Sequence, residues 1–286
     1  MRWAATYHRP SDLTRALELL DALGGQALLL AGGTDLMVEM REGKHGGSHL
    51  VDISRLPELK LLELKDGEIH LGAGLTFTEI LGSELLRLHA PALVQAASQI
   101  GSLQIRNVAT LGGNVVHCSP CADSVPGLLV QDARAILQSR GGTRDVPVQE
   151  ILVGPYKSGI QPGELLTRFS LRSASGMWGA FHKLARRSAL AIARLSLAVL
   201  ARHGDEGLSD VRIALGSGTP VPRRMVEVEE FLLGKAPTEE DLWEAGRVLA
   251  SKMVEVAGMR ASTVYKERAA QGLLVQAMMP LVRHGN

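Results

Sequence analysis

The sequence predicts a fold of mixed helices and strands in two parts. Strand-like apolar runs, punctuated by glycine, alternate with helical patterns up to about residue 173. The composition then shifts across Ser173–Gly179, and three helical segments close the chain. At 286 residues there is room for two or three compact units. Aromatics make up only 3% against 45% hydrophobic residues overall, so the cores must be built from Leu, Val, Ala and Ile.

Pro10-Ser11-Asp12 followed by apolar Leu13, Ala16, Leu17, Leu20 and Leu23 predicts a first helix, ended by Gly24-Gly25. Ala27–Ala31 reads as a strand that enters Gly32-Gly33 and then a second helix over Thr34–Arg41. His49–Ile53 is a short strand, and Leu61–Leu64 with Glu68–Gly72 forms a hairpin around Asp66-Gly67. Thr78–Leu88 and Ala90–Ile100 are helical, Pro91 being accepted in a first turn. Gly101–Pro126 is glycine-punctuated and weakly periodic, and regular structure resumes at Leu128–Leu137. Val146–Ile151 and Glu164–Leu171 read as strands. Beyond the boundary, Phe181–Leu184 and Ala189–Ala201 are apolar and Val211–Leu215 is a strand. Helices follow over Met225–Leu233, Glu239–Met253 and Ser262–Val282, the second opened by Thr238-Glu239-Glu240-Asp241 with its acidic first turn.

A net charge of +1 gives no reason to expect nucleic acid or an anionic membrane as partner. The most apolar run, Ala189–Ala201, is interrupted by Arg194 and Ser196 and is too short to span a bilayer. The N-terminal MRWAATYHRPSDL lacks the apolar core of a secretory leader, so a cytoplasmic location is expected. Cys118 and Cys121 are the two cysteines; with His117 they fall short of a four-ligand metal or cluster site. They are expected to be small, mostly buried thiols, with a redox pair as the alternative.

Two segments carry chemistry. In Leu29-Leu30-Ala31-Gly32-Gly33-Thr34-Asp35-Leu36, a glycine pair between strand and helix lets the backbone approach an anion, and the first-turn N–H groups suit a phosphate. Asp35 would repel a phosphate, so it is expected to cap the helix or to accept from a hydroxyl. Ile105-Arg106-Asn107-Val108-Ala109-Thr110-Leu111-Gly112-Gly113-Asn114 repeats the theme about eighty residues later. Two such loops can hold the two phosphates of one dinucleotide from two sides; either alone is as well explained by a plain turn. On spacing alone, Asp123 is a turn cap, Lys183 a solvated lysine and Leu166 a core strand residue.

The phrases AGGTDLMVEMR (Ala31–Arg41) and IRNVATLGGNVVHCSPCADSVPGLLVQDA (Ile105–Ala133) resemble the FAD-binding subunit of molybdenum hydroxylases. That family includes the medium subunit of aerobic carbon monoxide dehydrogenase and the FAD domain of xanthine dehydrogenase. GPYKSGIQPGELLTRFSL (Gly154–Leu171), HKLARRSALAIARLSLAV (His182–Val199) and ASTVYKERAAQGLLVQA (Ala261–Ala277) resemble its later segments in the same order. The resemblance implies an α+β, vanillyl-alcohol-oxidase or PCMH-type FAD-binding fold. Two FAD-binding subdomains, 1–58 and 59–173, would precede a C-terminal domain, 174–286, with a small antiparallel sheet and helices.

It also implies contacts. Leu29 through Leu36 would run along the diphosphate and adenosine side, and Thr110, Gly113 and Asn114 would make the second diphosphate contact. Asp123 would reach the ribityl or ring region, and Leu166 and Lys183 would approach the flavin. Ile100 stands where a relative carries an aromatic residue. The implied partners are a large molybdenum-cofactor subunit and a small subunit with 2Fe–2S clusters, as a dimer of heterotrimers. Electrons would leave FAD for NAD, a quinone or oxygen. Two alternatives stay open: a self-contained FAD-dependent oxidase or reductase, and a non-catalytic assembly subunit.

Overall fold

A computed structural model describes residues 5–259 and 261–283. Met1–Ala4, the start of the stretch read for a leader, lie outside the described residues. The chain opens with β1 (Thr6–His8), α1 (Leu13–Leu23), β2 (Ala27–Leu30), α2 (Leu36–Arg41) and β3 (His49–Asp52). The three strands form a parallel sheet in the order β1-β3-β2. Asp12 begins α1 by accepting from the Arg15 N–H. Ala16 and Leu20 of α1 pack with Val51, Ile53, Leu56, Leu59 and Leu165. β2 lies at the sheet edge, and although apolar it is only half-buried along its whole length.

The second unit runs through β4 (Leu62–Lys65), β5 (Glu68–Gly72), α3 (Phe77–Gly82), α4 (Glu84–His89) and α5 (Pro91–Ser98). It continues with α6 (Leu103–Arg106), α7 (Leu111–Val116), α8 (Ser124–Leu129), β6 (Arg134–Ser139) and β7 (Gly142–Pro147). α9 (Val148–Ile151), β8 (Leu152–Gly154), β9 (Lys157–Ser158) and β10 (Leu165–Arg172) complete it. Five strands form an antiparallel sheet, β4-β5-β10-β6-β7.

Three sequence expectations change here. The single helix over Thr78–Leu88 is two, because Ser83 adopts extended backbone and its hydroxyl caps α4. Gly101–Pro126 holds two short helices and the start of a third, whose turns are too few to show a period. The strand expected at Val146–Ile151 begins earlier, at Gly142, and gives way to a helical turn after Pro147.

The third unit comprises β11 (Trp178–Ala185), β12 (Ala193–His203), β13 (Leu208–Gly216), β14 (Arg223–Arg224), α10 (Val226–Leu232), α11 (Glu239–Ala257) and α12 (Thr263–Arg283). Its four strands are antiparallel and consecutive. β12 explains the long apolar run. Its odd positions Leu195, Leu197, Val199 and Ala201 face α10–α12, while Ala198 and Leu200 face the core of the second unit. A strand buried on both faces shows no polar alternation.

α11 opens with a capping box. The Thr238 hydroxyl accepts from the Asp241 N–H, and the Asp241 carboxylate accepts from the Thr238 N–H. Thr238→Ala is expected to destabilise the chain by about 1 kcal/mol, read as a lower urea midpoint. No helix among the described residues is long and apolar enough to cross a membrane.

Candidate functional site

The two glycine loops meet. A methyl carbon built on Gly32 would stand 2.0 Å from the Val108 carbonyl oxygen and 2.9 Å from Ala109 Cα, so the loop after β2 lies directly on the backbone before α7. Gly33 has φ +69°, the left-handed region that favours glycine. Residues 29–36 are all half-buried or exposed, which leaves this apolar strand and its turn open to a ligand.

The second loop is held from behind. The Leu111 and Gly112 N–H groups donate to the Leu75 and Ala73 carbonyls at 2.9 and 2.8 Å. Ala73 in turn donates to the carbonyl of Thr167, the residue at the irregularity in β10 beside Leu166. Thr110 caps α7 by accepting from the Gly113 N–H at 3.1 Å. Gly113 itself is exposed, and Asn114 Oδ1 accepts from Ser124 at 2.7 Å.

Asp123 and Lys183 come from different units and form a buried ion pair, Nζ to Oδ2 2.6 Å, with side chains 7% and 6% exposed. Lys183 also donates to the Gln99 carbonyl at 3.1 Å. This corrects two expectations drawn from spacing alone: Lys183 is not solvated, and Asp123, although at the N-cap position of α8, makes no side-chain cap. Its Oδ1 is buried with no hydrogen-bond partner among the described residues. Burial pushes the Asp123 carboxyl up to about 6, against the pull of the Lys183 ammonium. A cleft of about 670 Å³ opens beside Lys183 between residues 98–106 and 183–191.

Leu166 and Ile100 sit in the apolar core of the second unit. Neither is open as the chain stands, at 4% and 9% exposure. Asp35 does not cap α2; its carboxylate takes a 3.4 Å bond from Thr34 and lies 3.7 Å from His117 Nε2. Sequence reasoning weighed His117 only as a third ligand beside the two cysteines and did not single out Tyr156, since a turn tyrosine carries no pattern. Cys118 is buried, its thiol pushed up to about 11 by burial, and donates toward the Val115 and Ile151 carbonyls. Cys121 is half-buried, and both are free. No group of metal-binding side chains occurs among the described residues.

These residues fit a flavin dinucleotide. The glycine contact brings the two loops together, the apolar edge strand is only half-buried, and Asp123 Oδ1 is buried with no donor among the described residues.

Residues 3–171 match the family described as FAD binding domain in molybdopterin dehydrogenase, and residues 180–281 match the carbon monoxide dehydrogenase flavoprotein C-terminal domain. The chain is 36% identical to a xanthine dehydrogenase FAD-binding subunit of Escherichia coli, over 79% of this chain and 78% of that protein. It is 29% identical to the carbon monoxide dehydrogenase medium chain of Hydrogenophaga pseudoflava, over 95% of each. It superposes on a solved structure of carbon monoxide dehydrogenase from that organism with a TM-score of 0.90, covering 98% of this chain and 96% of the other at 29% identity. Fold and cofactor thus agree with the α+β, FAD-binding expectation. The chain belongs to the FAD-binding subunits of the molybdopterin dehydrogenases, with a flavoprotein C-terminal domain of the carbon monoxide dehydrogenase type.

Proposed function

We propose that the chain is the electron-relay subunit of a molybdenum hydroxylase complex. It would take electrons from the 2Fe–2S clusters of a small partner and pass them on to NAD, a quinone or oxygen. A large molybdenum-cofactor subunit would oxidise the carbon substrate, and the assembly would be a dimer of heterotrimers. The relatives' names support this reading: one is a medium chain, another an FAD-binding subunit. The observation that carries it is the contact of Gly32 with Val108–Ala109, which joins two anion-binding loops in one mouth.

In this reading 1–58 and 59–173 are the FAD-binding subdomains and 174–286 the C-terminal domain. Leu29–Leu36 line the diphosphate and adenosine side, and the exposed Gly113 with Thr110 and Asn114 forms the opposing wall. Asp123 Oδ1 accepts from the ribityl or ring end, and Lys183 keeps a positive charge beside the ring. Leu166 and Ile100 back the ring from the core, their low exposure requiring small side-chain movements. When bound, FAD supplies the capacity to take up and release electrons singly or in pairs. The protein's part is to bind, orient and tune.

The test is the spectrum of the full chain after incubation with FAD and desalting. Retained flavin bands at about one FAD per chain are expected; a colourless protein would overturn the reading. Because Cys118 is buried and hydrogen-bonded, the double substitution Cys118→Ala, Cys121→Ala is expected to keep the same flavin absorbance per chain.

A further inference from the structure

We propose that His117 is a positioning residue for cofactor binding, acting through Asp35. Asp35 presents a problem of charge. Its carboxylate is 52% exposed and belongs to the first glycine loop, where a diphosphate is to be received. It does not cap α2, so the helix does not hold it back. A free carboxylate at this mouth repels an anionic ligand.

The second loop supplies the answer. His117 is the C-cap of α7, whose N-terminal end carries Thr110 and Gly113. Its Nε2 lies 3.7 Å from Asp35 Oδ1, across the junction that Gly32 makes with Val108. At that distance the contact is electrostatic, beyond hydrogen-bond length. The imidazole also packs against Tyr156, ring centroids 5.2 Å apart and edge-to-face at 70°. Tyr156 is locked in turn: it has φ +56°, and its N–H donates 2.9 Å to the carbonyl of Cys118, the residue after His117. A non-glycine residue in that region is held by its surroundings at some cost in backbone strain. Here that conformation sets the tyrosine ring against the histidine.

His117 therefore draws the Asp35 carboxylate toward the second loop and offsets its charge. The carboxylate then offers its oxygens to hydroxyl groups of the ligand and no longer confronts the phosphates. No direct contact of His117 with the cofactor is needed.

The inference rests on the FAD reading of the two loops, and a double-mutant cycle tests it. FAD dissociation constants would be measured by quenching of flavin fluorescence on the flavin-free full chain. The buffer would have low ionic strength, so that the contact between the imidazole and the carboxylate is not screened. His117→Gln is expected to weaken binding roughly fivefold. In an Asp35→Asn background the same change is expected to have little effect, and in wild type the loss should shrink in high salt. Melting curves of each variant check that the fold is retained. An equal loss in both backgrounds, or no loss at all, would overturn the role assigned to His117. Failure of the wild-type chain to bind FAD would instead overturn the reading beneath it.

Discussion

Gly32→Ala is expected to weaken FAD binding by about one to two orders of magnitude. The added methyl would stand 2.0 Å from the Val108 carbonyl oxygen, 2.7 Å from its carbon and 2.9 Å from Ala109 Cα. All three atoms are backbone, so no side-chain rotation relieves the clash; the two glycine loops must move apart. Overpacking of this kind costs about 1–3 kcal/mol. Taken from binding energy, that is a loss of FAD affinity of roughly tenfold to a hundredfold. The measurement is flavin absorbance per chain after desalting, followed by fluorescence titration. Gly82→Ala in α3 is the control, since a Cβ there meets nothing within 4 Å and alanine is the better helix former. If Gly32→Ala bound FAD as tightly as wild type, the loops would not clamp the cofactor jointly.

What the sequence disclosed about this site depended on the range of the interactions that build it. α1 and the hairpin of β4 and β5 were legible because their signals are local: a cap, an apolar period, an Asp-Gly turn. The glycine loops were legible as candidates for the same reason. Their pairing on one dinucleotide was an expectation, but the contact that joins them was not legible, because it is a backbone contact between residues 32 and 108. β12 looked like an undifferentiated apolar run because each face meets a different core. The short helices that begin within Gly101–Pro126 were hidden because four to six residues are too few to express a period. Asp123 and Lys183 are 60 positions apart, and each alone had an ordinary explanation in a cap or a solvated side chain. Only their burial together removes those explanations. His117 was visible only as a neighbour of the cysteines and Tyr156 not at all, since what distinguishes them is a ring contact and a backbone angle.

Lys183→Met is expected to produce a loss of stability that depends on pH in a defined direction. Removing one member of a buried ion pair leaves the other charge uncompensated, at a cost of about 3 kcal/mol or more. In the wild-type chain the Asp123 carboxyl is pushed by burial from 3.8 to about 6, even with Lys183 beside it. The folded chain thus holds a proton that the unfolded chain has released between those values. Its contribution to stability is fully present below about 3.8 and is lost as the pH rises through about 6, amounting to about 3 kcal/mol. Without the ammonium, the ionised carboxylate is still less welcome in the fold, so the loss continues to higher pH. The difference in urea midpoint between Lys183→Met and wild type should therefore be largest near pH 8 and shrink toward pH 5. In an Asp123→Asn background it should fall to the small, pH-independent part left by the bond from Lys183 to the Gln99 carbonyl. A deficit that stayed constant from pH 5 to pH 8 would assign the role of Lys183 to packing and not to its charge.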